Sequence, residues 1–302
     1  MTSPAAASRR LVVSGDDFGA AREVNAGILR AHRAGILTST SLMVTGDAVA
    51  QAVAEARATP SLAVGLHLVL AQGRPAAPPA AIRRLVNARG TFEDTPVLNG
   101  FRYAWAWCSR AGRAQLRREL RAQLDAFVAT GLPLAHVDGH LNMHLHPLVL
   151  PLLLELAPAY GIRAMRLSRE SLAAALRWDP RHRLRKTSEG LIFHALAAYA
   201  APRLRAAGIV STERVYGMHQ TGHIDEAYVL HLLATLPPGT SELYCHPAIG
   251  QAAVMAPYQG GYDHAGEVAA LTSPRVRAAL AAADVTLATY PALAAAPRAA
   301  PA

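Results

Sequence analysis

The sequence predicts an α/β protein whose parallel strands form a distorted (β/α) barrel that resembles a TIM barrel. Short apolar runs alternate with helical patterns along the whole chain, without internal sequence repeats. Such alternation is typical of a parallel sheet covered by helices. The chain has 302 residues, of which 52% are hydrophobic, and this is enough for one large domain. About seven predicted strands favour a closed or distorted barrel over an open doubly wound sheet.

In the first half of the chain, strand and helix patterns alternate regularly until a long irregular segment interrupts them. Residues 71–100 carry many Pro and Gly, which indicates ordered structure outside the sheet. An amphipathic helix that ends at Gly131 follows this segment. Strands are predicted at residues 10–14, 36–45 and 62–70, and helices at residues 20–34 and 47–58.

The second half continues the pattern to the last strand. Ser273 and Pro274 supply an N-cap and a first-turn proline for a helix that reaches Ala283. Strands are predicted at residues 134–140, 162–167, 215–219, 242–246 and 285–289, and helices at residues 148–160 and 224–236. We therefore expect one domain over residues 1–302. Its Ala/Pro-rich ends, residues 2–7 and 292–302, are expected to be frayed.

The charge of the chain is strongly positive and unevenly spread. The formal net charge is +9, and residues 163–214 contain eleven Arg or Lys against four acids. An apolar run at residues 190–202 lies inside this basic segment, which predicts a helical insertion at about residues 168–212. Such a segment suits contact with an anionic membrane surface or an amphiphilic substrate, and the alternative is a solvated helix face. With aromatics at 6% and no recognisable motif, we expect no nucleic-acid partner.

The cellular location is expected to be the cytoplasm. The N-terminus lacks the apolar core of a signal peptide, and no apolar run is long enough to span a membrane. Peripheral contact at the inner face of the cytoplasmic membrane remains open. Cys108 and Cys245 form neither a disulfide framework nor a thiolate cluster, so any metal must have nitrogen and oxygen ligands.

Polar residues occur at the ends of several predicted strands. The C-terminal ends of barrel strands converge on one face, where active sites lie, so residues distant in sequence become neighbours there. Adjacent aspartates repel each other, and a helix N-cap would explain only one of them. A metal ion explains both, since one can bind the cation while the other stays free as a base. The residues concerned are Asp16, Asp17, His67, Asp138, His140 and His246.

The segment HVDGHLNMHLHP, residues 136–147, is the densest of these clusters. Alternate residues share one strand face, so His136, Asp138 and His140 point the same way if the strand persists. That arrangement suits a histidine ligand with a supporting carboxylate. His144 and His146 follow the strand, and their roles stay open. Two histidines and one carboxylate leave positions for water and substrate on a divalent cation.

Five motifs together resemble the YdjC-like carbohydrate deacetylases, the chitooligosaccharide-deacetylase group. They are VSGDDFG at 13–19, TSTSLMVTG at 38–46, VGLHL at 64–68, HVDGHLNMHLHP at 136–147 and LYCHPA at 243–248. The resemblance spans most of the chain in the right order. It implies a distorted (β/α) barrel and metal-dependent hydrolysis of an N-acetyl group on a sugar, with water activated by the ion.

The resemblance also implies roles for individual residues. Asp17, His67 and His140 would bind one divalent ion, zinc or magnesium first, with manganese, cobalt and nickel also admitted. Asp16 would be the general base, and His246 would help to protonate the leaving amine. Four further residues would support the ligands or contact the substrate: His136, Asp138, His144 and His219.

The C-terminal half resembles the hopanoid-biosynthesis-associated branch of this family. YGMHQTGHIDE, LPPGTSELYCHP and GYDHAGEVAALTSPRVRAAL are the stretches concerned. They imply an N-acetylglucosaminyl hopanoid, a sugar on a polycyclic lipid, as the substrate. Gly15 and Asn142 depart from the common family pattern, and neither removes an expected ligand. Soluble chitooligosaccharides, another metal-dependent hydrolysis and a non-enzymatic basic lipid- or anion-binding role remain alternatives, and a homodimer remains open.

Overall fold

The computed structural model describes residues 8–92, 95–250 and 255–296. Its centre is a seven-stranded sheet in which every pairing is parallel. The strands follow the order β4-β3-β2-β1-β6-β5, and β7 pairs with β1. Their bounds are β1 Arg9–Phe18, β2 Ser39–Leu42, β3 Ala63–Leu68, β4 Val137–Gly139, β5 Arg214–Tyr216, β6 Gly239–Cys245 and β7 Val285–Ala288.

Strand β1 is the centre of the sheet because it has three neighbours. It pairs with β6 from Arg9 to Gly15, with β7 over its first residues and with β2 from Ser14 onward. From Leu11 to the end of the strand every residue is buried, as expected for a parallel strand covered on both faces. The end of β1 therefore lies inside the protein, where its polar side chains need partners.

The sheet curls, as the sequence predicted. Beyond β4, two isolated parallel bridges continue the curled sheet. They join Val137 to Met165 and Ala164 to Val210. The α/β class and the parallel sheet are confirmed, and the curl is consistent with a distorted barrel. The strand predicted at residues 162–167 is wrong, because single bridges at Ala164 and Met165 take its place.

Helices cover the sheet and account for most of the remaining chain. In the first half they are α1 Arg22–Ala34, α2 Val49–Arg57, α3 Pro96–Trp107, α4 Arg110–Ala129 and α5 Leu150–Tyr160. In the second half they are α6 Leu172–Trp178, α7 Arg183–Ala206, α8 Glu226–Thr235, α9 Ala256–Gln259, α10 His264–Thr272, α11 Pro274–Ala282 and α12 Tyr290–Ala295. Two 3₁₀ turns, Pro79–Ala81 and His140–Leu145, complete the set in the described ranges.

The predicted excursion at residues 71–100 is irregular at first but contains the start of α3. Thr95 caps this helix, since its hydroxyl accepts a hydrogen bond from the amide of Leu98 at 3.2 Å. Pro96 occupies the first helical position. The sequence analysis missed α3, and it also missed α9, α10 and α12. Of the ends predicted to fray, residues 2–7 and 297–302 lie outside the described residues, and residues 292–295 belong to α12.

The basic segment at residues 168–212 contains helices α6 and α7. Three of its cations have acidic partners nearby, since Arg181 and Lys186 both pair with Asp179, and Arg185 pairs with Glu189. Lys186 is buried, so this cation does not belong to a solvated face. In the part of the chain that the structure describes, no helix is long and apolar enough to cross a bilayer.

Candidate metal centre and active site

The two adjacent aspartates at the end of β1 point to different partners. Both are buried, and Asp17 adopts a left-handed backbone conformation with φ of 66°. Aspartate tolerates this region better than most residues. The backbone turns at Asp17, which directs its carboxylate towards two histidines, whereas the Asp16 carboxylate meets an arginine. The repulsion expected between neighbouring carboxylates is relieved because each has its own cationic or donor partner.

Asp17, His67 and His140 converge on one point. Oδ1 of Asp17 lies 3.1 Å from Nδ1 of His140 and 3.3 Å from Nε2 of His67. The three potential ligand atoms lie within 4.8 Å of one another, and all three residues are buried. They come from the ends of β1, β3 and β4, as the converging strand ends predicted. The sequence analysis selected these residues as metal ligands, and the structure brings them together.

Asp138 orients His67 from the opposite side of its ring. Oδ1 of Asp138 accepts a hydrogen bond from Nδ1 of His67 at 2.8 Å, which leaves Nε2 facing Asp17. The hydroxyl of Ser41 donates to the second Asp138 oxygen at 3.0 Å. Burial alone would lower the pKa of His67. The charge of Asp138 and the hydrogen bonds to Asp138 and Asp17 outweigh it and raise that pKa to about 10.

These residues fit a divalent cation. One carboxylate oxygen and two imidazole nitrogens form a donor set that suits zinc, and that also admits manganese, cobalt and nickel. Magnesium prefers oxygen ligands and fits this set less well. The negative surroundings that raise the pKa of His67 equally favour a bound cation. A second group, Asp16, His67 and Asp138, has similar spacing, but a guanidinium contacts both of its carboxylates and already supplies positive charge there.

That guanidinium belongs to Arg166, the largest fully buried side chain among the described residues. It donates to both oxygens of Asp16, at 2.7 and 2.8 Å. It also lies 2.9 Å from Asp138 and 2.9 Å from Glu242. Three buried carboxylates therefore share one cation. Sequence reasoning placed Arg166 within a basic surface segment, and the structure places it behind the site instead.

His246 directly follows β6. This strand pairs with β1 on the side away from β4, so His246 and His140 approach Asp17 from different sides of the sheet. The ring of His246 sits between Tyr244 and Tyr262, at centroid distances of 5.8 and 5.3 Å with edge-on geometry. Burial lowers the pKa of His246, although the charges of Asp17 and Asp16 partly offset that effect. The backbone after this histidine lies directly on helix α1, since a Cβ on Gly27 would come within 2.5 Å of Pro247. The contact fixes the position of the strand end that carries His246.

The remaining histidines predicted as site residues lie farther from the ligand atoms. The ring of His136 stacks on Tyr290 at 4.5 Å, and its Nε2 is 3.6 Å from Asp138. His144 is fully buried, and its Nε2 donates to the backbone carbonyl of Arg166 at 3.0 Å. Burial lowers the pKa of His144 to about 4, so this histidine is neutral at physiological pH. Both residues support the network behind the site.

His219 lies on the loop after β5. Burial, together with the positive charges of Lys186 and Arg185, lowers its pKa to about 4. Its amide donates to the buried carboxylate of Glu170 at 3.1 Å. No ring contact or hydrogen bond joins its side chain to Asp17, at least among the residues that the structure describes. A contact between His219 and the substrate stays a prediction.

Several residues of the site were missed by sequence reasoning. Nε2 of Gln259, on α9, donates to the second oxygen of Asp17 at 2.7 Å, and Oε1 of Gln72 is 3.2 Å from Nε2 of His140. The hydroxyl of Tyr290 donates to Glu242. Gln72 has a positive φ of 52°, which no sequence pattern signalled. These residues lie in loops or short helices, so periodicity did not reveal them.

The family of the chain follows from a sequence comparison. The model of the YdjC-like protein family matches residues 10–282. This chain belongs to the YdjC-like protein family. The matched segment includes each proposed metal ligand together with Asp16, Arg166 and His246, and it ends before β7 and α12. The resemblance inferred from five short motifs is therefore confirmed.

Curated relatives in the YdjC-like family are named as carbohydrate deacetylases. The mouse protein is 33% identical over 296 residues, which cover 92% of this chain and 93% of the relative. The Brevibacillus brevis protein is 40% identical over 157 residues, but the match covers 51% of this chain and 57% of the relative. The chain thus spans little more than half the length of that bacterial relative.

A solved structure agrees with the YdjC-like fold along nearly the whole chain. It comes from Enterococcus faecalis V583 and is described as a protein with a proposed role in cellobiose-phosphate cleavage. The TM-score is 0.71 at 25% sequence identity, and the alignment covers 95% of this chain and 99% of the other. The curled parallel sheet is therefore shared with an experimentally determined structure.

Proposed function

We propose that this protein is a metal-dependent N-deacetylase that removes acetate from an N-acetylglucosaminyl group. One observation carries the proposal: the adjacent carboxylates of Asp16 and Asp17 separate, one towards two histidines and the other towards an arginine. Amide hydrolysis needs one group that holds the carbonyl-activating ion and another that accepts a proton from water. The names of the curated relatives support the same reaction.

Asp17, His67 and His140 would hold the cation, which when bound polarises the amide carbonyl and acidifies the attacking water. Asp16 accepts the proton of that water. Both of its oxygens are hydrogen-bonded to Arg166, so the carboxylate is fixed in one orientation, and each oxygen keeps a lone pair for the incoming proton. Water adds to the carbonyl carbon, the C–N bond breaks, and acetate and a free amine result.

His246 protonates the departing nitrogen. Burial lowers its pKa, so the imidazolium that acts as the acid is the minor form at neutral pH, and this form gives up its proton readily. Tyr244 and Tyr262 restrict the ring on two sides, so its orientation is maintained during the reaction. The carboxylate acts as the base and the imidazolium as the acid, and exchange with solvent then removes the proton from Asp16 and returns one to His246.

A glycolipid is the substrate that we favour, with N-acetylglucosamine attached to a hopanoid. Support comes from the resemblance of the C-terminal half to the hopanoid-associated branch. Soluble chitooligosaccharides are the alternative substrate. A phosphoester is a second candidate, because the Enterococcus faecalis relative has a proposed role in cellobiose-phosphate cleavage. We propose a cytoplasmic location for the reaction.

Acetate release is the direct test. The purified protein would be incubated with the N-acetylglucosaminyl lipid, with diacetylchitobiose and with a phosphoester panel, and metal content would be measured on the same sample. Acetate from either N-acetylated compound supports the deacetylase, and the ratio of the two rates identifies the substrate class. Phosphate release without acetate would reject deacetylation in favour of phosphoester hydrolysis.

A non-enzymatic role in binding lipids or anions gives a different expectation. It predicts that Asp16→Asn leaves every function intact, because no proton transfer is involved. Deacetylation predicts that the same change lowers turnover by roughly 10²–10⁴. A protein that releases neither acetate nor phosphate, yet binds anionic lipid in both forms, would establish the binding role.

A further inference from the structure

Helix α3 presents apolar side chains on two opposite faces. One face enters the core, where Tyr103 and Ala106 are buried. The other face is open to solvent, with large side chains that are 54–72% exposed. They are Val97, Leu98, Phe101 and Trp105. Exposed apolar side chains are usually scattered singly, and a contiguous group of this kind indicates an interaction surface. We call these four residues the α3 stripe.

The α3 stripe is continuous along the helix. Val97, Phe101 and Trp105 are four residues apart, and Leu98 lies three residues before Phe101, so all four side chains share one helical face. Two of the four are aromatic, and tryptophan is favoured where one end of a side chain is apolar and the other is wet. The composition suits insertion into a shallow, partly hydrated apolar layer.

The sequence on both sides of the α3 stripe is rich in arginine, and one arginine contacts the stripe. Residues 81–121 contain nine arginines and three acids, and Glu119 among those acids is buried. The guanidinium of Arg84 lies 4.7 Å above the ring of Trp105. Apolar side chains within an arginine-rich region match an anionic, amphipathic partner. A second copy of this chain would bring like charges together, so charge complementarity disfavours it.

The helix that carries the α3 stripe lies beside the proposed active site. The hydroxyl of Tyr103 donates to the carbonyl of Leu70, two residues after β3 ends. A Cβ on Gly100 would lie 3.4 Å from His146, which directly follows the 3₁₀ turn that begins at His140. The buried face of α3 therefore packs near the ends of the two strands that deliver His67 and His140. A partner on the exposed face would be close to the site.

We propose that the α3 stripe inserts into the headgroup region of an anionic lipid bilayer and holds the protein at its surface. The basic segment with α7 is a poorer choice, although Leu184, Leu191 and Ile192 are exposed there. Three of its cations pair with acids of the same segment, Arg181 and Lys186 with Asp179 and Arg185 with Glu189, and Lys186 is buried. The proposal goes beyond deacetylation and does not depend on it.

Vesicle flotation tests the proposal directly. The full-length protein would be mixed with phosphatidylcholine vesicles, with or without phosphatidylglycerol, at low and at high salt. We expect flotation only with the anionic vesicles, and weaker flotation at high salt. The double variant Phe101→Ser, Trp105→Ser should bind at least about tenfold more weakly, because it removes two aromatic anchors. Both side chains are more than half exposed, so the fold should be retained.

A matched control uses the exposed leucines of α7. The variant Leu184→Ser, Leu191→Ser removes apolar surface from the other basic helix and should float like the unmodified protein. Equal flotation of the α3 variant and the unmodified protein would overturn the proposal, as would loss of flotation in the α7 variant alone.

Sedimentation analysis adds a third outcome. A dimer that the α3 variant dissociates, without vesicle binding, would assign the stripe to a second copy. Acetate release from soluble diacetylchitobiose should be the same in every variant, which separates this test from that of the proposed function.

Discussion

Arg166 holds both carboxylate oxygens of Asp16, with Nη1 2.7 Å from Oδ2 and Nη2 2.8 Å from Oδ1. The same guanidinium lies 2.9 Å from Asp138, which orients His67. The proposed base and one proposed ligand are thus connected through a single buried cation. A planar guanidinium can meet several carboxylates at once, whereas the ammonium of lysine is a compact point charge.

Arg166→Lys tests this connection. Lysine retains one positive charge but loses the paired hydrogen bonds, so we expect Asp16 to be misplaced and kcat to fall by roughly 100-fold. Arg166→Ala should be worse, because it leaves buried carboxylates without a partner and lowers the free energy of unfolding by about 3–5 kcal/mol. Steady-state kinetics and chemical denaturation measure the two effects. A lysine variant with unchanged kcat would separate Arg166 from the chemistry.

Asp16 and Asp17 should differ sharply when each is changed to asparagine. Asp16→Asn is expected to retain metal while turnover falls by roughly 10²–10⁴, the usual contribution of a general base. Asp17→Asn should lose bound metal, because a carboxylate ligand is replaced by a neutral amide. Asparagine tolerates the left-handed conformation of residue 17, so the backbone should be undisturbed. Elemental analysis alongside acetate release distinguishes the two cases, and equal metal content in both variants would refute the assignment of Asp17.

Tyr290 should influence the reaction from a distance. Its hydroxyl donates to Glu242, which in turn contacts Arg166, and its ring stacks on His136. Tyr290→Phe keeps the ring and removes the hydroxyl, so we expect an altered pH profile of kcat with little change in KM.

Tyr103→Phe is the matched control for Tyr290→Phe. It removes an equally buried hydroxyl that donates to a backbone carbonyl, away from the Arg166 network. Its free energy of unfolding should fall by a similar amount, about 1–2 kcal/mol, while its pH profile stays that of the unmodified protein. Identical pH profiles for both variants would show that Tyr290 has only a structural role.

The contribution of Glu267 to stability should decline as the pH rises from mildly acidic to mildly basic values. Burial raises the pKa of Glu267 from 4.5 to about 8, although the amides of His246 and Ile224 partly offset it. The folded state holds this proton more tightly, so the contribution is complete below pH 4.5 and is lost as the pH rises through about 8. The loss is about 1.4 kcal/mol for each pH unit within that window.

Glu170 adds to this decline, since burial raises its pKa to about 7. Thermal unfolding across the window measures the slope. Glu267→Gln cannot titrate, so its stability relative to the unmodified protein should rise as the pH increases from about 4.5 to about 8, whereas Glu155→Gln changes an exposed acid and serves as the control. An unchanged slope in the Glu267 variant would show that this carboxyl does not retain its proton on folding.

The strand ends identified the residues of the site from sequence, and the resemblance to the YdjC-like family selected the proposed ligands among them. Alternating strands and helices predict a parallel sheet, and a parallel sheet gathers its strand ends at one edge. That reasoning does not require any distance to be known. Asp17, His67 and His140 were placed together in this way, and their roles stay predictions until metal content is measured.

Arg166 could not be selected by the same reasoning. In the sequence it is one of eleven cations between residues 163 and 214, and nothing local distinguishes it from the others. Its partner Asp16 is 150 positions away. Only the packing of β1 against the segment after α5 decides that this arginine is buried beside Asp16.

Helix α3 was missed for a different physical reason. Helical periodicity is visible when apolar residues occupy one face and polar residues the other. α3 has apolar residues on both faces, because one set enters the core and the other remains exposed. The exposed apolar face therefore obscured the helical periodicity in the sequence, and the same face is the proposed binding surface.

The strand and helix that follow residue 282 contact the site, although they lie outside the segment that the family model matches. β7 pairs with the first residues of β1, and Tyr290 reaches from the start of α12 to the carboxylate of Glu242. A chain shortened to the matched residues would keep every proposed ligand but lose a donor to the buried charge cluster. The unit that completes the buried charge cluster is thus larger than the unit that the family model matches.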